Sequence, residues 1–137
     1  MRRATRMRKN PGLAEEAKPF DHAQIMRGIN ARDVQDLIDR GVLNAKQVYR
    51  VIPERTFLRR LSSREPLKVP EGDAVARLLR VTGSAYRAFG DAEFARKWLN
   101  LPNPALSGRV PIELAETDAG AREVEDVLGR FAHFVIG

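Results

Sequence analysis

Apolar side chains recur at spacings of three and four residues along most of this chain, which predicts an all-α protein. The clearest stripes cover residues 73–89, 92–99 and 117–135, and shorter ones cover residues 31–40, 44–52 and 53–63. No stretch alternates apolar and polar residues for long enough to predict a strand. We therefore expect helices throughout, joined by short turns.

Residues whose side chains cap helices stand at the start of most of these stripes. The predicted N-caps are Asn30, Asn44, Asp91 and Thr117. Gly41 and Gly90 follow two of the stripes, and a glycine in the left-handed conformation commonly ends a helix. The capping residues and the apolar stripes therefore agree on where the helices begin and end.

Two short predicted helices meet at a tight turn over residues 51–54, and the second helix has a basic outer face. Pro53 begins this second helix, which covers about residues 53–63, with Phe57, Leu58 and Leu61 facing inward. A helix, a tight turn and a second helix that enters the major groove form a helix-turn-helix motif. The candidate DNA-binding residues are Arg55, Thr56, Arg59 and Arg60. The pattern fits a merely solvated helix face equally well.

Three irregular segments divide the chain. Residues 1–20 are rich in arginine and lack sustained apolar periodicity, which predicts a flexible basic arm. Residues 62–72 contain two prolines and a glycine and predict a domain boundary, with domains at residues 21–68 and 69–137. Residues 98–111 hold the only Trp and three prolines, which predicts a rigid corner rather than a flexible linker.

Charge is distributed unevenly over this chain of 137 residues, whose formal net charge is +6. Residues 1–68 carry sixteen Lys and Arg against eight Asp and Glu, whereas residues 69–137 carry eight against ten. Only the N-terminal part is therefore suited to a polyanion such as DNA. The asymmetry predicts different tasks for the two parts of the chain.

Residue types that carry catalysis or metal binding are scarce. The chain has no cysteine, and its two histidines, His22 and His133, lie in different segments. It contains no Walker A, G-x-G-x-x-G or H-E-x-x-H motif. We expect a binding protein rather than an enzyme, without a metal or a cofactor. No apolar run reaches the roughly 20 residues of a membrane span, and no secretory signal is recognisable, so we expect a cytoplasmic protein without a membrane partner.

The C-terminal part contains the motifs of a known family. The sequence reads Y-R-A-F-G at residues 86–90, A-R-K-W-L at 95–99, P-N-P-A-L at 102–106, G-A-R-E-V at 120–124 and L-G-R at 128–130. In combination, over roughly residues 70–137, these motifs resemble the toxin-binding domain of the Xre/ParS/MbcA family of bacterial antitoxins. Residues 25–65 resemble, more loosely, the Xre-like helix-turn-helix domain of the same family.

The resemblance implies an all-α fold with an N-terminal helix-turn-helix-like domain and a small C-terminal helical toxin-binding domain. It also implies a cognate RES-type toxin, encoded in the same operon, that is similar in fold to ADP-ribosyltransferases and uses NAD. An antitoxin of this family is expected to block the toxin by covering its NAD site. The helix-turn-helix domain is expected to bind operator DNA and repress the operon, as a homodimer or in a larger toxin–antitoxin hetero-oligomer. The alternative is a stand-alone helix-turn-helix repressor.

The apolar residues at the end of the sequence suggest how such a toxin would be bound. Arg130 lies one helical turn before Phe134 on the same side of the predicted helix, and aromatic and Arg side chains are good anchors in a desolvated pocket. The residues expected to bind the toxin are Arg130, His133, Phe134, Val135, Ile136 and Gly137. We expect Phe131 in the core and Trp98 in a structural role. The alternative is that Val135 also packs into the core and the other terminal residues fray.

Overall fold

The computed structural model describes the backbone of residues 11–136 and the side chains of residues 14–131. Its helices are α1 (Pro11–Glu16), α2 (His22–Arg27), α3 (Ala31–Asp39), α4 (Ala45–Val51), α5 (Glu54–Ser63), α6 (Val69–Phe89), α7 (Ala92–Leu99), a 3₁₀ turn (Pro104–Leu106), α8 (Pro111–Leu114) and α9 (Asp118–Ile136). Over this described part, extended pairing is limited to isolated bridges. The predicted all-α fold class is confirmed.

The predicted N-caps are confirmed by hydrogen bonds. The side chains of Asn30, Asn44 and Asp91 each accept a hydrogen bond from the second residue of the helix that follows, at 2.9, 2.7 and 3.0 Å. The hydroxyl of Thr117 accepts one from the backbone N–H of Gly120 at 2.9 Å. These bonds satisfy backbone donors that have no partner within the helix, which is why short polar side chains mark the helix starts so reliably.

The helix α6 lies at the centre of the fold and contacts α1, α2, α4, α7, α8 and α9. It begins at Val69, before the predicted start at residue 73, because Pro70 is tolerated in the first turn and Glu71 accepts a hydrogen bond from the backbone N–H of Lys68 at 2.8 Å. The end of the predicted linker is therefore helical. The buried residues of α6 are Gly72, Ala74, Val75, Ala76, Leu78, Leu79, Val81, Thr82, Gly83, Ala85 and Tyr86.

A glycine in the middle of α6 allows another segment to approach closely. Glycine is normally unfavourable inside a helix. A Cβ atom at Gly83 would lie 3.2 Å from the backbone oxygen of Ala17, which directly follows α1 and is fully buried. The packing of α1 on α6 therefore explains why α6 contains a glycine at this position.

The structure contradicts part of the predicted flexible arm, whereas the predicted domain boundary stays a prediction. Residues 1–10 lie outside the described residues. For residues 11–20 the prediction of a flexible arm is wrong, because α1 packs against α6 and Ala17 is buried. One continuous core contains Val34 and Phe57 as well as Val124 and Leu128. A boundary between residues 68 and 69 stays a prediction, but the two parts share their core around α6.

Arg60 forms a buried ion pair that joins α5 to the start of α6. Its Nε and Nη2 atoms donate to the two carboxylate oxygens of Glu71 at 2.7 and 3.0 Å, and its Nη1 atom donates to Glu65 at 3.2 Å. Arg60 is 6% exposed. The prediction that Arg60 contacts DNA is therefore wrong, because its guanidinium points into the protein and is held by carboxylates. The hydrogen bonds from Arg60 hold the pKa of Glu71 below its ordinary value.

Replacing Arg60 with methionine removes the guanidinium while keeping an unbranched apolar stem. Glu71 then loses its main partner in a partly buried position. We expect Arg60→Met to lower the free energy of unfolding at neutral pH by about 3 kcal/mol, the lower end of the range for a broken buried pair. Urea denaturation followed by circular dichroism measures this difference.

The pH dependence of that difference tests its cause. Folding lowers the pKa of Glu71, so the ion pair contributes its full stability above the ordinary glutamate pKa of 4.5. The contribution is lost as the pH falls through the lowered pKa of the folded state. The gap between wild type and Arg60→Met should therefore narrow in the acid range below 4.5. A gap that stays constant there would show that lost packing, not the lost ion pair, destabilises the variant.

Candidate functional site

Four aromatic side chains from three helices form one cluster, which we call the aromatic surface: Phe89, Phe94, Trp98 and Phe131. The ring of Phe89, at the end of α6, lies in the middle of the cluster. Its centroid is 4.9 Å from that of Phe94, 5.5 Å from that of Trp98 and 4.7 Å from that of Phe131. These distances and the tilted or edge-to-face ring angles are typical of stabilising aromatic pairs.

Two of these rings face solvent, contrary to the sequence prediction. The apolar stripe over residues 92–99 predicts that Phe94 faces inward, but Phe94 is 52% exposed. Phe131 is 39% exposed, so the predictions of Phe94 facing inward and of Phe131 in the core are both wrong. Each ring rests on Phe89 on one side and leaves its other side open among the side chains of residues 14–131. The result is an exposed apolar patch of clustered rings, which is a common mark of a binding site.

Local sequence explains how α7 presents its aromatic residues. Gly90 ends α6 in the left-handed conformation, with φ of 68°, directly after Phe89. Asp91 then caps α7, accepting hydrogen bonds from the backbone N–H groups at positions 93 and 94. Phe94 and Trp98 are four residues apart and therefore share one face of α7. The tight turn brings that face back over the end of α6.

The corner at residues 98–111 is a compact structural element, as predicted. Asn103 caps the 3₁₀ turn by accepting from the N–H of Ala105 at 2.8 Å, and its own N–H donates to the carbonyl of Arg109 at 3.1 Å. Leu106 is buried beneath the turn. The side chain of Arg109 donates to Glu123 at 2.6 Å and so joins the corner to α9. The corner thus fixes where α9 starts relative to α7.

The sequence-predicted toxin-binding residues from Arg130 to Ile136 lie on the last turns of α9. Arg130 is exposed and directly precedes Phe131 of the aromatic surface. The helix α9 continues to Ile136. The other predicted residues lie outside the described side chains: His133, Phe134, Val135, Ile136 and Gly137. Their role stays a prediction.

The predicted DNA-binding face of α5 is smaller than expected. Arg55 and Arg59 are exposed, Thr56 is half-buried, and Arg60 belongs to the interior ion pair described above. Leu58, predicted to face inward, is exposed between the two arginines, because the main helix contact of α5 is with α3 on its opposite face. The remaining candidates for DNA contact on this helix are therefore Arg55, Thr56 and Arg59.

A second pair of helices also has the layout of a helix-turn-helix. The turn between α3 and α4 passes through Gly41, whose φ of 80° is left-handed, and a short turn containing glycine is common in this motif. In this arrangement α4 is the helix that would enter the major groove. Its exposed basic residues are Lys46 and Arg50, and Arg50 is paired with Glu116 of the C-terminal part. The sequence pattern had singled out α5 alone.

Sequence reasoning missed the aromatic surface as a functional candidate. Its signal was present, because Phe89, Phe94 and Trp98 lie within ten residues of each other in a chain of 7% aromatic content. Helical periodicity assigned these residues to the core, since spacing cannot tell a buried apolar face from an exposed one.

In the described part of the chain, no group of three or more acidic or histidine side chains is arranged to hold a metal ion. None of the described helices is long and apolar enough to cross a membrane.

Comparison with known families assigns both parts of the chain. Residues 21–80 match the antitoxin Xre-like helix-turn-helix domain, and residues 84–133 match the antitoxin Xre/MbcA/ParS C-terminal toxin-binding domain. The whole aromatic surface falls within the second match, and the basic faces of α4 and α5 fall within the first. The first match extends into α6, beyond the predicted boundary at residue 68.

Individual relatives lead to the same family. The chain is 34% identical to the antitoxin Xre of Pseudomonas putida over 121 residues, which cover 88% of this chain and 76% of the relative. It is 38% identical to the antitoxin Xre of Yersinia enterocolitica over 85 residues, covering 61% of this chain and 57% of the relative. It is 25% identical to the antitoxin Xre of Photorhabdus laumondii over 128 residues, covering 91% and 86%. The chain therefore belongs to the Xre/MbcA/ParS family of antitoxins, with an N-terminal helix-turn-helix domain and a C-terminal toxin-binding domain.

Proposed function

We propose that this chain neutralises a RES-type toxin that is encoded in the same operon and uses NAD. The chain would act in the cytoplasm as a stoichiometric inhibitor, binding the toxin directly and covering its NAD site. It would also repress its own operon by binding operator DNA, as a homodimer or in a complex with the toxin. The RES class of the toxin and the covering of its NAD site rest on the family resemblance of residues 70–137. The observation that carries direct binding is the aromatic surface, which lies within the matched toxin-binding domain.

The aromatic surface has the properties of a binding hot spot. Exposed Phe and half-buried Trp side chains remove much apolar area from water when a partner covers them. Residues of this type supply most of the binding energy in many protein interfaces. Arg130 stands next to Phe131 and adds a guanidinium that can pair with carboxylates or phosphates at the rim.

The rigid support of the surface favours tight binding. Phe89 sits on the last turn of α6, the helix most fully built into the core, and the other rings pack on Phe89. Little side-chain freedom is therefore lost when the partner binds, and lost freedom is a main cost of association. The same helix continues to Ile136. In this proposal the mostly apolar sequence of residues 133–137 adds to the toxin contact.

Truncation of the exposed rings should weaken toxin binding without unfolding the protein. We expect Phe94→Ala and Phe131→Ala each to raise the Kd for the purified toxin by at least about thirtyfold, since hot-spot truncations cost about 2 kcal/mol or more. Growth rescue should fail when antitoxin expression is limiting. Titration calorimetry and a co-expression growth assay measure the two effects.

Met26→Ala provides a matched control for the aromatic variants. Met26 is 57% exposed, similar to Phe94, but lies on α2 in the helix-turn-helix domain. We expect this variant to bind and rescue like the wild type. If the Phe94 and Phe131 variants also bind like the wild type while their thermal stability is unchanged, the aromatic surface is not the toxin interface.

Removal of residues 134–137 tests the covering of the NAD site separately. The shortened chain keeps the aromatic surface, so it should still bind the toxin but inhibit its NAD consumption less completely. Growth rescue should fall while the melting temperature stays within experimental error. Full inhibition of NAD consumption by the shortened chain would contradict occlusion by this segment and leave the aromatic surface as the binding determinant.

DNA contacts by α5 would be visible in the salt dependence of operator binding. Removing one phosphate-binding side chain should reduce the slope of log Kobs against log salt by about one, so Arg55→Gln combined with Arg59→Gln should reduce it by about two. Fluorescence anisotropy on a labelled promoter fragment measures the slope. The control is Lys46→Gln on α4, which should leave the slope unchanged.

Two other outcomes of this experiment identify different mechanisms. If Lys46→Gln reduces the slope and the α5 variant does not, α4 is the helix that contacts DNA. If neither the chain alone nor its toxin complex binds the promoter fragment at low salt, autorepression is refuted. A stand-alone repressor would instead bind tightly without any toxin, and the neighbouring gene expressed alone would not slow growth.

A further inference from the structure

The linker between α5 and α6 pairs with the linker between α2 and α3. An isolated antiparallel bridge joins Asn30 to Pro66, and the backbone N–H of Leu67 donates to the carbonyl oxygen of Ile29 at 2.7 Å. Gly28 makes room for this pairing, because a Cβ atom there would lie 2.7 Å from the Cβ atom of Pro66. Two segments that are distant in the sequence therefore lie side by side.

Four basic residues flank this pairing, and we call them the junction surface: Arg27, Arg32, Arg64 and Lys68. Each stands one or two residues away from a residue of the paired segments, and each is exposed. None of them belongs to α4 or α5. The junction surface is therefore separate from the two helices considered above for DNA contact.

The charges of the junction surface are not used within the protein. No carboxylate among the side chains of residues 14–131 forms an ion pair with any of its four residues. Elsewhere in the N-terminal part, Arg40, Arg50 and Arg60 are each held by a carboxylate. The fold thus pairs several of its arginines internally and leaves these four cations available to a partner.

The carboxylates of the same two segments do little to neutralise this surface. Glu65 and Glu71 both accept hydrogen bonds from Arg60 and are thereby engaged. Asp33, in the first turn of α3, forms no ion pair with the described side chains. Four unpaired cations therefore stand against one unpaired carboxylate.

Arg64 has an unfavourable backbone conformation. It ends α5 with φ of 65° and ψ of 21°, in the left-handed region that glycine usually occupies at this position. None of the ion pairs and hydrogen bonds of the described side chains involves its guanidinium. Because strained residues persist mainly where their side chains have a task, Arg64 points to a partner outside the fold.

We propose that the junction surface binds backbone phosphates of DNA beside the groove that the helix-turn-helix domain enters. This inference rests on the DNA binding proposed above and adds contacts outside α4 and α5. Arg and Lys side chains are well suited to phosphate groups. The surface consists of helix ends and linker residues and offers no helix face to a groove, so it holds the backbone and carries no base recognition.

The charge of the surface disfavours a second copy of the chain as its partner. In a symmetric dimer the same surface of both copies would meet, which would bring eight cations together. Like charges that face each other across an interface are costly. A polyanion avoids this repulsion and gains affinity from the release of its counterions.

The test compares two double variants of the full-length chain that lose the same charge. Arg27→Gln with Arg32→Gln alters the junction surface, and Arg87→Gln with Lys97→Gln alters exposed residues of the toxin-binding domain. Binding to a labelled promoter fragment is followed over a range of salt concentrations, with the chain alone or with its toxin complex. We expect the first variant to reduce the slope of log Kobs against log salt by about two and the control to keep the wild-type slope.

A scrambled DNA fragment of the same length shows which part of the DNA is contacted. Phosphates are the same in both fragments, so the junction variant should lose equal affinity for the two. The ratio of the two affinities should therefore stay at the wild-type value.

Arg64→Gly separates DNA binding from folding. Glycine adopts the left-handed conformation of this position without strain, so we expect a Tm at or above that of the wild type. The same variant loses one cation and should reduce the salt slope by about one. A residue kept only for the fold would show the opposite pattern, with a lower Tm and unchanged DNA binding.

Three results would overturn the inference. If the junction variant keeps the wild-type slope while the wild type binds the promoter, the DNA binding proposed above stands and only the junction surface is refuted. A changed ratio between the two fragments would indicate base contacts, and a weakened affinity for the toxin with unchanged DNA binding would indicate a toxin contact. If neither the wild-type chain nor its toxin complex binds DNA, the proposed DNA binding itself is refuted and the inference with it.

Discussion

The burial of α6 on several faces is the constraint on which the rest of this structure depends. A helix covered on several sides needs small residues where neighbours approach, and Gly72, Gly83 and the alanines of α6 meet that need. Because α6 contacts helices from both domains, each domain completes its core with the same element. The Arg60–Glu71 pair and the Tyr86–Val42 hydrogen bond add polar links at the start of α6 and along it.

The two proposed binding surfaces, the aromatic surface and the basic face of α5, depend on α6 in different ways. The aromatic surface is built directly on the last residue of α6, so its geometry is inherited from the core. The basic face of α5 is attached to α6 through Arg60, which donates to Glu71 at its first turn. An arginine that looks available for DNA in the sequence therefore orients the helix that carries Arg55 and Arg59.

Local signals made much of the fold predictable from the sequence. The N-caps Asn30, Asn44 and Asp91 accept hydrogen bonds from backbone N–H groups two or three residues away. The apolar periodicity then predicts the helix that follows each cap. The failures share one cause, because Arg60, Phe94 and Phe131 owe their environment to distant partners. The spacing of Arg60 predicts a solvated residue, but Glu71 pairs with it in the interior. The spacing of Phe94 predicts a core residue, but its ring packs on Phe89 at the surface. For the aromatic surface, residue types were visible but exposure was not.

The shared helix also limits how antitoxins of this architecture can diversify. Recombination that exchanges one domain for a homologous one would leave α6 facing a neighbour with which it had not coevolved. Matching the close contacts at Gly83 and the pair at Glu71 would then require compensating changes on both sides. In the proposed mode of toxin binding, new toxin specificity is therefore reached more readily by substitutions at exposed positions such as Phe94 and Phe131, which carry little of the core, than by shuffling whole domains.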